Sequence, residues 1–210
     1  METFVVPAII AKTQSELDGM LDQVREKVKR VQLDVMDGKF VPTTSLNFNF
    51  KLPAGFEYEA HLMVTKPLEW VRKHANKVNI VIMHVETLKD VEATVEYVKK
   101  IGIKLNLALT LETKLETVIP HLGKIDGVLV MTVEPGSYCI KKDFRPEPLE
   151  KVKKLREIDK VLPIEVDGCM NPENARLARG SGANIFASGS YIFKSDNIDE
   201  AINELQNAVA

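Results

Sequence analysis

Gln32-Leu33-Asp34-Val35-Met36-Asp37-Gly38-Lys39-Phe40-Val41-Pro42 is the stretch on which the reading of this chain turns. Val31, Leu33 and Val35 alternate with Gln32, Asp34 and Met36, so the segment reads as a strand with its polar side chains on one face. It runs into a turn that carries a second acid, Asp37, followed by Gly38. Asp37 suits a residue that caps the turn. Asp34 is different. A carboxylate on the inward face near the C-terminal end of a buried strand has to be paired, bind a cation or do chemistry.

Working outward, the apolar pattern switches repeatedly between short β-like runs and longer amphipathic ones. Strands are expected at Phe4–Ile10, Arg30–Asp34, Tyr58–Met63, Asn79–His84, Lys104–Leu109, Gly127–Met131, Pro163–Val166 and Ile185–Ala187. Helices are expected at Gln14–Lys29, Pro67–Ala75, Asp90–Ile101, Lys114–Pro120, Glu147–Ile158, Asn171–Arg179 and Ile198–Ala208. Thr13, Thr65 and Asn171 sit where N-caps belong, and Gly102, Gly123 and Gly180 where helices stop. Eight strands alternating with helices, without a linker or a shift in composition, argue for one parallel α/β domain spanning 1–210. That strand count favours a closed (β/α)₈ TIM barrel over an open sheet. No Gly-x-Gly-x-x-Gly follows the first strand, which weakens a dinucleotide-binding alternative.

The bulk numbers exclude several classes. A net charge of −2 with 28% charged residues gives no electrostatic reason to expect nucleic acid or an acidic membrane surface as partner. No apolar run reaches transmembrane length. An acid stands where a signal peptide would carry positive charge, so the expected compartment is the cytoplasm. Cys139 and Cys169 lack metal-type spacing, and in that compartment a structural disulfide is not expected. Apolar positions on helices leave room for a homo-oligomer without identifying one.

In a barrel, chemistry sits at the C-terminal ends of the strands. The groups expected there are Gln32, Asp34 and Met36, then His61 and Met63, then Met131, and finally Asp167 in Ile164-Glu165-Val166-Asp167-Gly168. Two acids and a histidine converging on one mouth can hold a divalent metal. Two acids on opposite walls can also serve as base and acid across a flat intermediate. His84 ends its strand and can face the same mouth, whereas His74 and His121 read as surface. Glu165 points inward with Asp167 or pairs with a buried lysine. Gly168 and Ala187-Ser188-Gly189-Ser190, before a short helical segment at Tyr191–Lys194, have the character of a phosphate turn: glycines admit an anion to backbone N–H groups and a helix start adds its dipole.

Together these residues resemble the ribulose-phosphate 3-epimerase family. The resemblance covers Pro7-Ala8-Ile9-Ile10, Leu33-Asp34-Val35-Met36-Asp37-Gly38, Phe40-Val41-Pro42, His61-Leu62-Met63-Val64, His84-Val85-Glu86, Val133-Glu134-Pro135-Gly136, Glu165-Val166-Asp167-Gly168 and Gly189-Ser190. It implies a (β/α)₈ barrel acting as an isomerase on a phosphorylated ketose in pentose phosphate metabolism, with a divalent metal ion: zinc, manganese, iron or cobalt. One aspartate would remove the C3 proton and the other return one on the opposite face through a cis-enediolate. Asp34 and Asp167 match the two acids. Asp34, His61 and Asp167 match metal ligands. Met36, Met63 and Met131 match the methionines that line the site, and Gly136, Gly168, Gly189 and Ser190 match positions that meet the substrate.

The departures cluster at the site. The family's first metal-binding histidine is Gln32 here, a neutral oxygen donor that implies a weaker metal. Ala8 and Ala11 replace hydroxyls, Lys39 replaces a histidine and Cys169 replaces a second glycine. The glycine-rich loop reads Glu134-Pro135-Gly136-Ser137-Tyr138-Cys139-Ile140, followed by Lys141 and Lys142, which are candidates to meet a phosphate. The leading expectation is a 3-epimerase of the D-ribulose 5-phosphate to D-xylulose 5-phosphate type. The alternative is a divergent barrel that binds a sugar phosphate but has lost that activity or acts on another ketose phosphate. Decarboxylases and aldolases of related barrels resemble Asp-x-Lys-x-x-Asp at this strand; Met36 stands where their lysine would be.

Overall fold

The computed structural model describes residues 2–137, 139 and 143–210. Its first half runs β1 (Phe4–Ile9), α1 (Gln14–Val24), β2 (Arg30–Asp37), β3 (Thr44–Ser45), β4 (Glu57–Met63), α2 (Pro67–His74), β5 (Ile80–His84) and α3 (Val91–Ile101). The second half runs β6 (Lys104–Leu109), β7 (Gly127–Met131), α4 (Leu149–Ile158), β8 (Ile164–Asp167), α5 (Pro172–Ser181), β9 (Ile185–Ser188), α6 (Ser190–Phe193) and α7 (Ile198–Val209). Each strand from β4 to β9 is parallel to the next, β1 joins β9, and β1 also pairs with β2, which pairs with β4. The eight parallel strands therefore close into a TIM barrel. The two-residue β3 lies antiparallel on the end of β2, setting Met36 opposite Ser45.

The outward faces of the strands are apolar because helices cover them. Leu17 and Leu21 of α1, Val95 and Val98 of α3, and Val152 and Leu155 of α4 recur at helical spacing and pack in one cluster with Val31, Leu33 and Val35. Each such side chain contributes roughly 1.5–3 kcal/mol on burial. The barrel interior is only partly apolar. Ile80, Ile82, Ala108, Leu129, Met131 and Val133 fill one side. Gln32, Asp34, Glu59, His61, His84, Asn106 and Glu165 are also buried.

The N-cap side chains of Thr13 and Asn171 accept from Glu16 N and Asn174 N as expected. Several boundaries differ. α1 stops at Val24, and Glu26 just beyond it takes φ 65°, which no α-helix accommodates. The expected helix at Lys114–Pro120 is two 3₁₀ turns, Leu115–Thr117 and Ile119–Lys124, and Gly123 lies inside the second. Thr65 does not cap α2, because both its N–H and its hydroxyl donate to Asp37. Gly180 is within α5, and Gly182 takes the left-handed capping position.

Glu165 points inward, and its charged neighbours are Glu59, Asp167 and Arg30. Burial and Glu59 hold its carboxyl well above the usual carboxylate range. Burial pushes Glu59 up to about 7 against the pull of Arg30, whose guanidinium lies 3.4 Å away. The expectation of no disulfide is corrected: Cys139 and Cys169 are bonded, with Cα atoms 5.2 Å apart. Thirty residues separate them in sequence, but the segment after β7 and the turn after β8 meet at the barrel mouth, a proximity that spacing does not reveal. Among the described residues, no helix is long and apolar enough to cross a membrane.

Candidate active site

Parallel register builds the site. It sets Asp34 of β2 beside His61 of β4, Met36 beside Met63, and Met131 of β7 beside Asp167 of β8. Because side chains alternate, Gln32 and Asp34 both face inward on one strand, with Ala8 of β1 paired to Gln32. The two acids lie on strands separated by β1 and β9, yet they converge on a single atom. Gln32 Nε2 donates to Asp34 Oδ1 at 2.9 Å and to Asp167 Oδ2 at 2.7 Å.

His61 completes the group. Its Nδ1 is 3.2 Å from Asp167 Oδ2 and 3.4 Å from Asp34 Oδ1. Behind it, His61 Nε2 meets His84 Nε2 at 2.9 Å, and His84 Nδ1 lies 3.4 Å from Glu86 Oε2. The chain Glu86, His84, His61 thus ends on the acid pair. Glu86 also accepts from Thr110 N at 3.0 Å and from the Thr113 hydroxyl. With Nδ1–H of His84 toward Glu86, its Nε2 accepts from His61, and His61 Nδ1 faces the acids.

Burial holds the Asp34 carboxyl above the usual range, reinforced by Asp167 and opposed by hydrogen bonds from His61 and Gln32. Burial disfavours charge on His61 too, but Asp167 and Asp34 outweigh it and raise its pKa to about 9. Burial and the adjacent His61 lower the pKa of His84, while Glu86 acts the other way. Two carboxylates crowded together with a histidine are an arrangement that a cation relieves. Asp34, His61 and Asp167 each offer a ligand atom, and these lie within 4.8 Å of one another. Gln32 Oε1 is buried and without a hydrogen-bond partner among the described residues, while Nε2 of the same amide faces the acids. Two carboxylate oxygens and one imidazole nitrogen are a donor set that fits a divalent ion.

Above this floor opens a cavity of about 540 Å³. Asp34, Asp167, Met36, Met63, Met131, Gly136, Gly168, Gly189 and Ser190 all line it, so the sequence-expected residues come together. Gln32 and His61 lie beneath, fully buried. Asp37 is a turn cap, accepting from Lys39 N, Phe40 N and both donors of Thr65. Burial works against its charge, but those hydrogen bonds lower its pKa. Lys141 and Lys142 lie outside the described residues.

The glycines at the mouth are required by geometry. Gly168 has φ 122°, and a Cβ there would stand 2.7 Å from Val133 Cγ2. Gly136 has φ 75°, and a Cβ there would stand 2.6 Å from Val41 Cβ. Sequence reasoning missed Asn174, Arg176 and Tyr191, which also line the cavity. Arg176 follows Pro172 by one helical turn, and the expected helix at Asn171–Arg179, directly after Gly168, was the signal for it. Glu86 stood in a quoted motif without a role.

A family model described as the ribulose-phosphate 3 epimerase family matches residues 4–193. The ribulose-phosphate 3-epimerase of Chlamydia muridarum is 30% identical over 209 residues, covering 93% of this chain and 90% of that protein. The enzyme named ribulose-phosphate 3-epimerase, cytoplasmic isoform, of Oryza sativa subsp. japonica is 31% identical over 215 residues, covering 98% and 93%. Among solved structures, the 3-hexulose-6-phosphate synthase from Salmonella typhimurium matches with a TM-score of 0.68 at 14% identity, covering 100% of this chain and 98% of that one. At that identity the likeness establishes the barrel alone.

Proposed function

Because this chain belongs to the ribulose-phosphate 3-epimerase family, we propose that it interconverts D-ribulose 5-phosphate and D-xylulose 5-phosphate by moving the C3 proton between two aspartates. The observation that carries this reading is the convergence of Asp34 and Asp167 on one nitrogen of Gln32, from strands on different parts of the barrel wall.

The proton on C3 is acidified by the neighbouring ketone, and its removal leaves a planar enediolate. One aspartate takes that proton and the other delivers a proton to the opposite face; their roles exchange with the direction of reaction. Met36, Met63 and Met131 surround the plane with polarisable thioethers that neither donate nor accept protons in competition. The backbone of Gly168, Gly189 and Ser190, together with Gly136 across the mouth, forms the phosphate end of the cavity. Glu86 and His84 orient His61.

Asp34, His61 and Asp167 would hold a divalent cation, with Gln32 a weaker fourth donor once its amide turns Oε1 toward the ion. Such an ion, whether zinc, manganese, iron or cobalt, supplies Lewis-acid stabilisation of developing negative charge. The rice relative's name supports a cytoplasmic setting here too.

The test is proton exchange at C3 of ribulose 5-phosphate in D₂O, followed by NMR with each of these metals in turn. Deuterium entering C3 with appearance of the xylulose epimer is the expected result. No exchange from folded protein under any of the metals would remove the assignment.

A further inference from the structure

The two cysteines of the chain are joined to each other across the mouth of the cavity. Cys139 belongs to the segment after β7 and Cys169 to the turn after β8, and both half-buried residues line the cavity. Cys169 directly follows Gly168, and its φ of 53° continues the left-handed backbone that shapes the phosphate turn.

The segment carrying Cys139 is anchored on either side of it. Thr43 Oγ1 donates to the carbonyl of Gly136 at 3.2 Å, and Arg145 N donates to the carbonyl of Thr132 at 2.8 Å. The covalent link ties Cys139 to Cys169 in the phosphate turn. A barrel of this length with so extensive a core does not depend on a staple for folding, unlike small disulfide scaffolds. The bond acts where it sits, between two walls of the cavity. In a reducing compartment a disulfide in such a place serves as a redox-responsive group rather than a structural one.

We propose that Cys139 and Cys169 form a reversible thiol–disulfide exchange site that sets how tightly the cavity grips the phosphate of its substrate. This rests on the phosphosugar reading above. In the oxidised state the link preorganises the phosphate end. A dithiol reductant opens it: the Sγ–Sγ bond breaks, two electrons and two protons pass to the protein sulfurs, and the dithiol closes to its own disulfide. A disulfide oxidant reverses the exchange, taking back the two electrons and two protons as the protein bond forms.

The experiment compares protein oxidised with diamide and then freed of it against protein equilibrated with reduced dithiothreitol. Alkylation by iodoacetamide and intact mass should count no reactive thiol in the first sample and two in the second. Titration with inorganic phosphate, followed by ³¹P NMR, should show affinity falling on the order of tenfold on reduction, the scale expected when one or two side chains must be ordered on binding. KM for ribulose 5-phosphate should rise in parallel with little change in kcat, and reoxidation should restore both. Cys139→Ser should show the weaker phosphate binding in either buffer. Equal phosphate affinity in the two states, or two alkylatable thiols after oxidation, would overturn the proposal even in an active epimerase. A redox-dependent phosphate affinity without any epimerisation would support it and count against the assigned reaction instead.

Discussion

The side-chain amide of Gln32 lies 2.7 Å from the carboxylate of Asp167, on a strand three places away around the barrel, and the same nitrogen reaches Asp34. A neutral amide thus bridges two acids at a position where the family carries an imidazole. If residue 32 faces the cation, Gln32→His adds a nitrogen donor and should tighten zinc binding on the order of tenfold or more. Competition against a chelator measures this. Unchanged zinc affinity in a folded variant would show that residue 32 does not take part in holding the ion.

Asp167→Asn keeps the shape of the side chain and removes its ability to take a proton. C3 exchange in D₂O should fall by roughly 10²–10⁴-fold, the usual contribution of a positioned acid or base. Asp34→Asn should do the same. Undiminished exchange in either variant would take that residue out of the proton path.

The barrel was legible because strands buried on both faces are short and apolar, and because inward polar residues break that pattern at fixed places. Asp34, His61 and Asp167 each announce themselves in this way. What the sequence hid depends on where loops meet. Cys139 and Cys169 are far apart in the chain and joined only because the connections after β7 and β8 share one mouth. The link from Glu86 through His84 to His61 needs the register of β4 against β5 and the turn after it. Arg176 was within reach of the sequence, because the expected helix at Asn171–Arg179 begins directly after the Asp167-Gly168 turn. Glu26 ended α1 early through a backbone torsion that composition does not encode.

Glu86 gives the chain a pH dependence of known sign. Burial opposes its charge, but His84, the Thr113 hydroxyl and Thr110 N–H prevail and hold its carboxyl at about 2, below the ordinary value of 4.5. A carboxyl depressed in the folded state adds stability that is complete above its unfolded pKa and is lost as pH falls through its folded one. Glu86→Gln should therefore be less stable than the parent by about 1.5–3 kcal/mol at neutral pH, the value of hydrogen bonds to a charged group. That gap should narrow between 4.5 and 2 in urea titrations across the pH series. A gap that stays constant would mean that the side chain's charge is not its source.

Gly168 and Gly180 are an instructive pair, since one glycine is demanded by the fold and the other is not. At Gly168 the φ of 122° and the proximity of Val133 Cγ2 and Thr132 Oγ1 leave no place for a methyl group, and the Thr132 hydroxyl donates to the Gly168 carbonyl at 2.7 Å. Gly180 lies within α5, and a Cβ there meets nothing within 4 Å. Gly168→Ala should cost roughly 1–3 kcal/mol and weaken phosphate binding, because the turn must move to relieve the clash. Gly180→Ala should gain about 0.5–1 kcal/mol by restricting the unfolded chain and favouring the helix, with phosphate binding unchanged. Thermal unfolding and phosphate titration of the two variants side by side give the answer. Equal stability of the two would mean that the turn after β8 is not held in the conformation described, and the phosphate end of the cavity would have to be placed elsewhere.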